Sequence, residues 1–269
     1  TVEEIAGQKA GIIKPGGITV IGAQDYPAAE AALLAQAAAM ENTIALAGRD
    51  FTWSAPQFTR DTVSFDYTAH ILGQDVILPN VTISLRGTHQ VQNAASAITA
   101  ASVFAIRNSV RLKEDTVKRA LSETFWPGRM ELIETAPPVV LDGAHTQTAA
   151  RYLIESLRAH FPGQRFTMLF GVLKDKDMDG IADMLGPEID TIVLTRVPDN
   201  NRAASPWELE EKFRRHHAHG SIVVEDDFEK AYRTALNLTP DGSWLLVTGS
   251  LYLVGAVRRL MGLYTFVRQ

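Results

Sequence analysis

The chain has 269 residues, of which 46% are hydrophobic and 21% charged, and its formal net charge is −5. This length and composition predict a soluble globular protein with room for two domains. The net charge argues against nucleic acid as a partner, because phosphate backbones are bound by clustered lysines and arginines. No apolar run reaches the roughly 18 residues of a membrane span, and the absence of cysteine excludes disulfides and favours the reducing cytoplasm.

The first half of the chain mixes helical and strand patterns. A short helix leads into Lys9, and an apolar strand is predicted over residues 18–21. Residues 43–85 are rich in Thr, Val, Ile and Phe and are interrupted by turn residues, a pattern typical of a β-meander. Further helices are predicted over residues 27–40, 89–106 and 113–122.

Beyond Ala136-Pro137-Pro138, apolar strands alternate regularly with helical segments. The strands are predicted over residues 139–141, 166–170, 191–194, 221–224 and 244–247. This alternation is typical of a doubly wound α/β domain. Because the two prolines disfavour helix and remove two backbone donors, we place the domain boundary there, with one domain over residues 1–135 and the other over 136–269.

Two neighbouring stretches concentrate the residues best suited to chemistry. Trp126-Pro127-Gly128-Arg129-Met130-Glu131 places an arginine after a rigid Pro-Gly turn, and arginine binds phosphate well. The strand over 139–141 then ends in Asp142-Gly143-Ala144-His145, where small residues let another group approach the backbone and a strand-end carboxylate can orient a ligand. Taken singly, each residue fits an ordinary strand end with a surface arginine, but the combination predicts an active site.

Four further strings along the chain contribute to a family resemblance. They are Glu3-Glu4-Ile5-Ala6 with Lys9-Ala10-Gly11-Ile12-Ile13-Lys14-Pro15-Gly16, then Gly87-Thr88-His89-Gln90 with Asn93-Ala94, then Phe170-Gly171-Val172-Leu173-Lys174-Asp175-Lys176-Asp177, and Val247-Thr248-Gly249-Ser250-Leu251-Tyr252-Leu253-Val254-Gly255. With these strings, in this order, the chain resembles the folylpolyglutamate synthase and dihydrofolate synthase branch of the Mur ligase family.

The resemblance implies a fold and an activity. The expected fold is α/β: the remainder of a Mur ligase central ATPase domain with a small β-meander, followed by a Rossmann-like doubly wound C-terminal domain. The expected activity joins L-glutamate to dihydropteroate or to folylpolyglutamate. ATP first phosphorylates the acceptor carboxylate, and the incoming amine attacks the acyl phosphate, with Mg²⁺ as the second cofactor. Such chemistry requires charge neutralisation and alignment of the reactants.

The resemblance also assigns site residues. Asn93, Arg129 and Asp142 are expected to contact ATP, and His145 to act catalytically on the amino-acid side. Position in the predicted fold, by contrast, suggests the substrate-binding residues. Lys174 follows the strand over 166–170 at the same sheet edge as Asp142, and Ser250 and Tyr252 lie in a turn that leads into a helix whose N-terminus attracts anions such as a glutamate carboxylate. The family usually continues Asp-Gly-Ala-His with Asn or Asp and then Pro, whereas Thr146-Gln147 follow here.

Lys9 is expected to be a carbamylated catalytic lysine that holds Mg²⁺ through its carbamate. Carbamylation requires the neutral amine, so the site would have to lower the lysine pKa by burial or nearby positive charge. The family usually has glutamate before this lysine, and this chain has Gln8. A solvated lysine at a helix end is the alternative.

No Gly-x-x-x-x-Gly-Lys-Ser/Thr loop occurs in the chain, although the resembling ligases cradle ATP phosphates with one. The chain therefore resembles the carboxyl-terminal portion of a ligase, and we expect little or no turnover without the missing N-terminal region, supplied by a full-length chain or a partner. Two alternatives stay open: a noncatalytic nucleotide or amino-acid binding module, and a cell-wall Mur ligase.

Overall fold

The computed structural model describes residues 1–217 and 220–264, which fall into two compact units. Unit 1 comprises Thr1–Phe58, Thr62–Ser84 and His89–Thr124. Unit 2 comprises Thr59–Asp61, Leu85–Thr88 and the chain from Phe125 onward. The mixed α/β class predicted from the sequence is confirmed. None of the helices in the described ranges combines the length and apolar character needed to cross a membrane.

Unit 1 begins with two helices and two short parallel strands. In chain order these are α1 (Val2–Ala10), β1 (Ile18–Ile21), α2 (Pro27–Ala39) and β2 (Thr43–Leu46). Strands β1 and β2 pair in parallel, with Ile18 opposite Thr43. Helix α2 starts with Pro27 at its first position, where the missing N–H costs nothing.

The predicted β-meander of unit 1 is confirmed for residues 51–83. The prediction was wrong for residues 43–46, which pair with β1 in a separate parallel sheet. The meander consists of β3 (Phe51–Trp53), β4 (Gln57–Phe58), β5 (Val63–Ile71) and β6 (Gln74–Ile83). Alternate residues of β5 are buried, as expected for a strand with one covered face. Helices α3 (Gln90–Arg107) and α4 (Glu114–Glu123) complete the unit. The Tyr67 hydroxyl lies 2.7 Å from the Thr99 hydroxyl of α3 and satisfies its polar tip inside the core.

Unit 2 contains a largely parallel sheet with helices on both faces. The strands are β7 (Glu131–Ile133), β8 (Val139–Leu141), β9 (Phe166–Phe170), β10 (Thr191–Leu194), β11 (Ser221–Val224) and β12 (Trp244–Thr248), in the spatial order β11-β10-β9-β12-β8-β7. The helices are α5 (Gln147–His160), α6 (Met178–Leu185), α7 (Pro206–His216), α8 (Phe228–Leu238) and α9 (Leu251–Leu260). The predicted strands of this domain are confirmed, whereas β7, antiparallel to β8, was not predicted.

Two apolar cores show which helices cover which face of the unit 2 sheet. Residues of α5, α6 and α7 pack with Val140 and Met168, whereas residues of α8 and α9 pack with Leu141 and Leu169. The chain after β8 and β9 therefore turns to one face, and the chain after β12, which lies between them, turns to the other. Ligands bind open α/β sheets at such a switch point, beyond the carboxyl ends of the strands.

Strand β7 precedes Pro137-Pro138 in the chain but belongs to the sheet of unit 2. The assignment of residues 1–135 and 136–269 to two domains stays a prediction.

Candidate functional site

The loop that carries Arg129 has an unusual backbone on both sides of the arginine. Gly128 has a φ of 69° and Met130 a φ of 46°, so both lie in the left-handed region. For methionine this conformation is strained, and it persists only where surrounding contacts hold it. Two carboxylates do so: the Gly128 N–H donates to Glu131 Oε2 at 2.8 Å, and the Met130 N–H donates to Asp142 Oδ2 at 2.9 Å.

Asp142 is the buried residue that follows β8. Its Oδ1 accepts the Ala144 N–H at 2.8 Å, so its two oxygens bind amides on both the Arg129 loop and its own turn. Burial raises the pKa of Asp142, although the two amide bonds and the nearby Arg129 and His145 oppose the rise. The carboxylate thus shapes the backbone of the site. Its expected contact with ATP stays a prediction.

The Arg129 side chain is half-buried and passes over Gly143. A Cβ at position 143 would lie 2.8 Å from Arg129 Nη1, and it would also overlap the Leu251 side chain. The Gly143 N–H donates to the Gly128 carbonyl at 3.0 Å and so links the turn after β8 to the Arg129 loop. Within residues 1–217 and 220–264, no carboxylate forms an ion pair with Arg129. A half-buried guanidinium that forms no ion pair is suited to binding an anion.

His145 has a defined tautomer when it is neutral. Its Nδ1 lies 2.7 Å from the Gly143 carbonyl oxygen, which only accepts, so Nδ1 carries the proton and Nε2 keeps a lone pair. The following residue, Thr146, is the N-cap of α5, and its Oγ1 accepts the Ala149 N–H at 3.2 Å. Thr146 therefore caps helix α5.

The turn after β12 requires glycine and leads into α9. Gly249 has a φ of 105°, and a Cβ there would lie 2.5 Å from the Gly171 carbonyl oxygen. Ser250 is buried at the N-cap of α9, and its Oγ accepts the Tyr252 N–H at 3.1 Å. The Tyr252 side chain is exposed. A helix N-terminus attracts anions such as carboxylates, which agrees with the roles predicted for Ser250 and Tyr252 without testing them.

Lys174 lies in the exposed turn after β9. Its backbone N–H donates to the Arg202 carbonyl at 2.9 Å, and the neighbouring Leu173 pairs with Ala203. The side chain itself is exposed. The backbone of this turn is therefore fixed although the ammonium is solvated, and substrate binding by Lys174 stays a prediction.

The two predicted site residues of unit 1, Asn93 and Lys9, are both exposed. Asn93, in the first turn of α3, is exposed, and its Nδ2 donates to Gln90 Oε1 at 3.1 Å, which leaves the carbonyl oxygen directed away from this bond. Lys9 is exposed in the last turn of α1. The part of the chain that the structure describes does not bury Lys9, so its carbamylation stays a prediction.

Unit 2 thus gathers Arg129, Asp142 and His145 around Gly143, with Leu251 of α9 against the same glycine. Sequence reasoning assigned no role to Glu131, although it stands inside the Arg129 string, nor to Arg258 of α9. In the described ranges, no group of three acidic or histidine side chains is arranged to hold a metal ion. Mg²⁺ binding stays a prediction.

Comparison with known proteins identifies the class of this site. Residues 128–251, which include Arg129, Asp142, His145 and Ser250, match the family model described as Mur ligase, glutamate ligase domain. The matched residues are therefore similar to the glutamate ligase domain of Mur ligases.

The similarity to one branch of the family extends over nearly the whole chain. Over 97% of its length, the chain is 33% identical to folylpolyglutamate synthase of Lacticaseibacillus casei. Over 96% of its length, it is 28% identical to dihydrofolate synthase/folylpolyglutamate synthase of Bacillus subtilis. A Mycobacterium tuberculosis folylpolyglutamate synthase, solved with ADP and AMPPCP, matches 97% of the chain with 28% identity and a TM-score of 0.86.

The chain spans 58% of each of the two curated relatives and 59% of the mycobacterial chain. It is therefore homologous to part of the folylpolyglutamate and dihydrofolate synthases.

Proposed function

We propose that this chain is part of an ATP-dependent ligase that forms the amide bond between L-glutamate and dihydropteroate or a folylpolyglutamate. The acceptor carboxylate is phosphorylated by ATP, the glutamate amine attacks the resulting acyl phosphate, and phosphate leaves. The chain contributes binding and alignment of these reactants, which supply most of the rate acceleration in such reactions.

The observation that carries the proposal is the unpaired Arg129 on its strained loop. A planar guanidinium binds two phosphate oxygens at once, and two buried carboxylates fix the backbone on either side of it. Fixing the arginine before the ligand arrives avoids paying an ordering cost during binding. The solved relative with ADP and AMPPCP supports an adenine nucleotide as the ligand.

In this proposal His145 acts on the amino-acid side. Its Nε2 lone pair can accept a proton from the glutamate ammonium, because the Gly143 carbonyl holds the proton on Nδ1. Ser250 and Tyr252, at the start of α9, bind a carboxylate of the amino acid. Asn93 binds the nucleotide through the amide oxygen that its bond to Gln90 leaves available.

The proposal includes a limit on turnover. Because the sequence has no phosphate-cradling Gly-x-x-x-x-Gly-Lys-Ser/Thr loop, we propose that this chain alone turns over little or not at all. The measurement is glutamate-dependent phosphate release from MgATP with dihydropteroate or tetrahydrofolate as acceptor. Clear turnover by the isolated chain would contradict the limit, and would support the ligase activity directly.

Nucleotide binding tests the function without requiring turnover. We expect the chain to bind ADP in calorimetry, and Arg129→Ala to weaken the affinity about tenfold or more, as for loss of a charge-assisted bidentate contact. Arg233→Ala is the matched control, since Arg233 is an exposed arginine paired with Glu229 on α8. A folded chain that binds no ADP, or an Arg129→Ala variant that binds like the control, would contradict the nucleotide role.

Rescue of growth separates the folate branch from the other classes. The chain is expressed with the amino-terminal region of the Lacticaseibacillus casei relative in a strain lacking dihydrofolate synthase and folylpolyglutamate synthase, and in a strain lacking a cell-wall Mur ligase. Rescue of the first strain alone supports the proposal, and rescue of the second alone supports a cell-wall ligase. ADP binding without rescue of either strain favours a noncatalytic nucleotide-binding module.

A further inference from the structure

A buried ion pair lies directly behind the Arg129 loop. Glu131, the first residue of β7, is 6% exposed, and Arg258, in the last turns of α9, is 9% exposed. Arg258 Nη1 donates to Glu131 Oε1. Burying two charges costs much of what their attraction returns, and an apolar pair of similar size is often as stable. Stability alone is therefore a weak explanation for this pair.

The second carboxylate oxygen of Glu131 connects the pair to the loop. Glu131 Oε2 accepts the Gly128 N–H at 2.8 Å, on the residue immediately before Arg129. One carboxylate thus binds both the guanidinium of Arg258 and the backbone of the loop. Because Gly128 is in the left-handed region, this hydrogen bond helps to select the backbone direction that aims Arg129 across Gly143.

Helix α9 contacts the same loop along one face. Leu251, Val254 and Arg258 are spaced three and four residues apart, so they lie on one side of the helix. A Cβ at Gly128 would meet Val254 Cγ1 at 2.9 Å, and a Cβ at Gly143 would overlap the Leu251 side chain. The helix therefore contacts the Arg129 loop at Gly128 and the turn after β8 at Gly143, and its Arg258 binds Glu131.

We propose that Glu131 and Arg258 are positioning residues for Arg129. Arg258 orients the Glu131 carboxylate, Glu131 holds the Gly128 amide, and the loop presents the Arg129 guanidinium to its anion from a backbone fixed to α9. The identity of that anion rests on the function proposed above, whereas the positioning itself does not.

Two double variants separate positioning from simple stabilisation. Glu131→Leu with Arg258→Met replaces the ion pair by apolar side chains and removes the acceptor for the Gly128 N–H. Glu131→Gln with Arg258→Met also removes both charges but keeps an amide oxygen for that N–H. Both variants lack the ion pair and avoid an isolated buried charge, so a difference between them reports the hydrogen bond to the loop.

The first measurement needs no ligand. In ¹⁵N NMR we expect the Arg129 Nε–H, identified by its loss in Arg129→Ala, to be ordered in the parent chain and in the Glu131→Gln double variant. We expect it to be mobile in the Glu131→Leu double variant. An equally ordered Arg129 in all three proteins would overturn the proposal.

The second measurement is ADP affinity in a mutant cycle. We expect the Glu131→Leu double variant to bind ADP about tenfold more weakly than the parent, and to cause no further loss in an Arg129→Ala background, because residues that act through one another are non-additive. The Glu131→Gln double variant should recover most of the affinity. Additive losses would show that the pair acts independently of Arg129 and would overturn the proposal.

The parent chain offers a test that does not depend on any variant folding. If Glu131 holds the loop, the Gly128 amide exchanges its hydrogen far more slowly than an amide in an unfolded chain. Exchange at the unfolded rate would overturn the proposal. A chain with a protected Gly128 amide and a Glu131-dependent Arg129, but without ADP binding, would leave the positioning intact and contradict the function proposed for the site.

Discussion

The Arg129 loop of unit 2 and helix α1 of unit 1 each carry a cation with a predicted function. The two cations differ in their burial and in how firmly the surrounding backbone is held. Around Arg129, the two flanking amides bind buried carboxylates, and the side chain is half-buried over a glycine. On α1, only Ala6 and Ala10 are buried, and Lys9 is exposed near the helix end. Unit 2 fixes the backbone on both sides of Arg129, and among the described residues no carboxylate forms an ion pair with its guanidinium. These are the two conditions that anion binding by this arginine would require. A lysine that must be neutral needs burial or nearby positive charge, and the described residues of unit 1 leave Lys9 exposed.

The largest effect is expected from Asp142→Ala, which would remove the feature that most distinguishes the loop from α1. The change leaves the Met130 and Ala144 amides buried without their acceptor and removes support for the left-handed Met130. We expect a loss of about 3 kcal/mol in the free energy of unfolding, measured in urea. Asp190→Ala, which removes an exposed pair with Arg165, is the control and should cost under about 1 kcal/mol. Equal losses would mean that the loop is not held by Asp142.

A somewhat smaller effect is expected from Gly143→Ala. The added methyl overlaps Leu251 and lies against Arg129 Nη1, so either α9 or the arginine must move. Overpacking of this kind costs about 2 kcal/mol, and ADP affinity should fall with stability. Gly163→Ala is a poor control because its φ is 77°, whereas Gly7→Ala on α1 meets nothing within 4 Å and should stabilise or leave the chain unchanged. An ADP affinity equal to that of the parent chain in Gly143→Ala would mean that Gly143 does not contribute to nucleotide binding.

The third prediction concerns how the free energy of unfolding depends on pH through a buried histidine. His160, buried on α5, accepts the Gly87 N–H at Nε2, 3.1 Å away, and its Nδ1 lies 2.6 Å from the Thr59 carbonyl oxygen. Burial lowers the pKa of His160 from its ordinary value of 6.5. The unfolded chain therefore binds a proton at a higher pH than the folded chain does, so the stability from the neutral imidazole is complete above about pH 6.5 and is lost as the pH falls through the lowered pKa.

We expect the midpoint of urea unfolding to fall as the pH is lowered from 7.5 to 5, and His160→Gln to reduce that fall. The matched control is Ser156→Ala, which removes the neighbouring bond to the Thr88 N–H at 3.0 Å without removing a titrating group. Ser156→Ala should lower the free energy of unfolding by about 1 kcal/mol at both pH values. An identical pH dependence in His160→Gln and the parent would contradict the assignment.

The smallest effect is expected from Lys9→Met. Because Lys9 is exposed and α1 buries little, the free energy of unfolding should change by under about 0.5 kcal/mol. ¹³C NMR in labelled bicarbonate measures the modification directly. A lysine carbamate signal from the isolated chain that Lys9→Met removes would erase the contrast drawn between the two cations.

Much of unit 2 could be predicted because its strands are covered on both faces. Such strands appear as continuous apolar runs, and Phe166–Phe170 and Thr191–Leu194 were predicted with their observed bounds. Strand β7 was missed because it is short and begins with Glu131, a charged residue whose burial depends on Arg258, 127 residues away in sequence. No local pattern contains a contact of that range.

The site could be predicted in part for a similar reason. Arg129 and Asp142 stand in adjacent strings, so their proximity followed from the sequence. What did not follow is that Asp142 supports Met130, because a left-handed methionine leaves no mark in the sequence. The cap of α5 by Thr146 was also not predicted, although threonine is a common N-cap.

Helix α9 has one further consequence, for how relatives of this chain can diverge. Its inner side, with Val254 and Arg258, touches the loop of Arg129, while Tyr252 and Arg259 face solvent. If the proposed function holds, we expect a change on the inner side to alter phosphate and amino-acid recognition together. Changes at the outer positions leave the loop untouched, so we expect evolutionary tuning of amino-acid preference to concentrate at Tyr252 and Arg259.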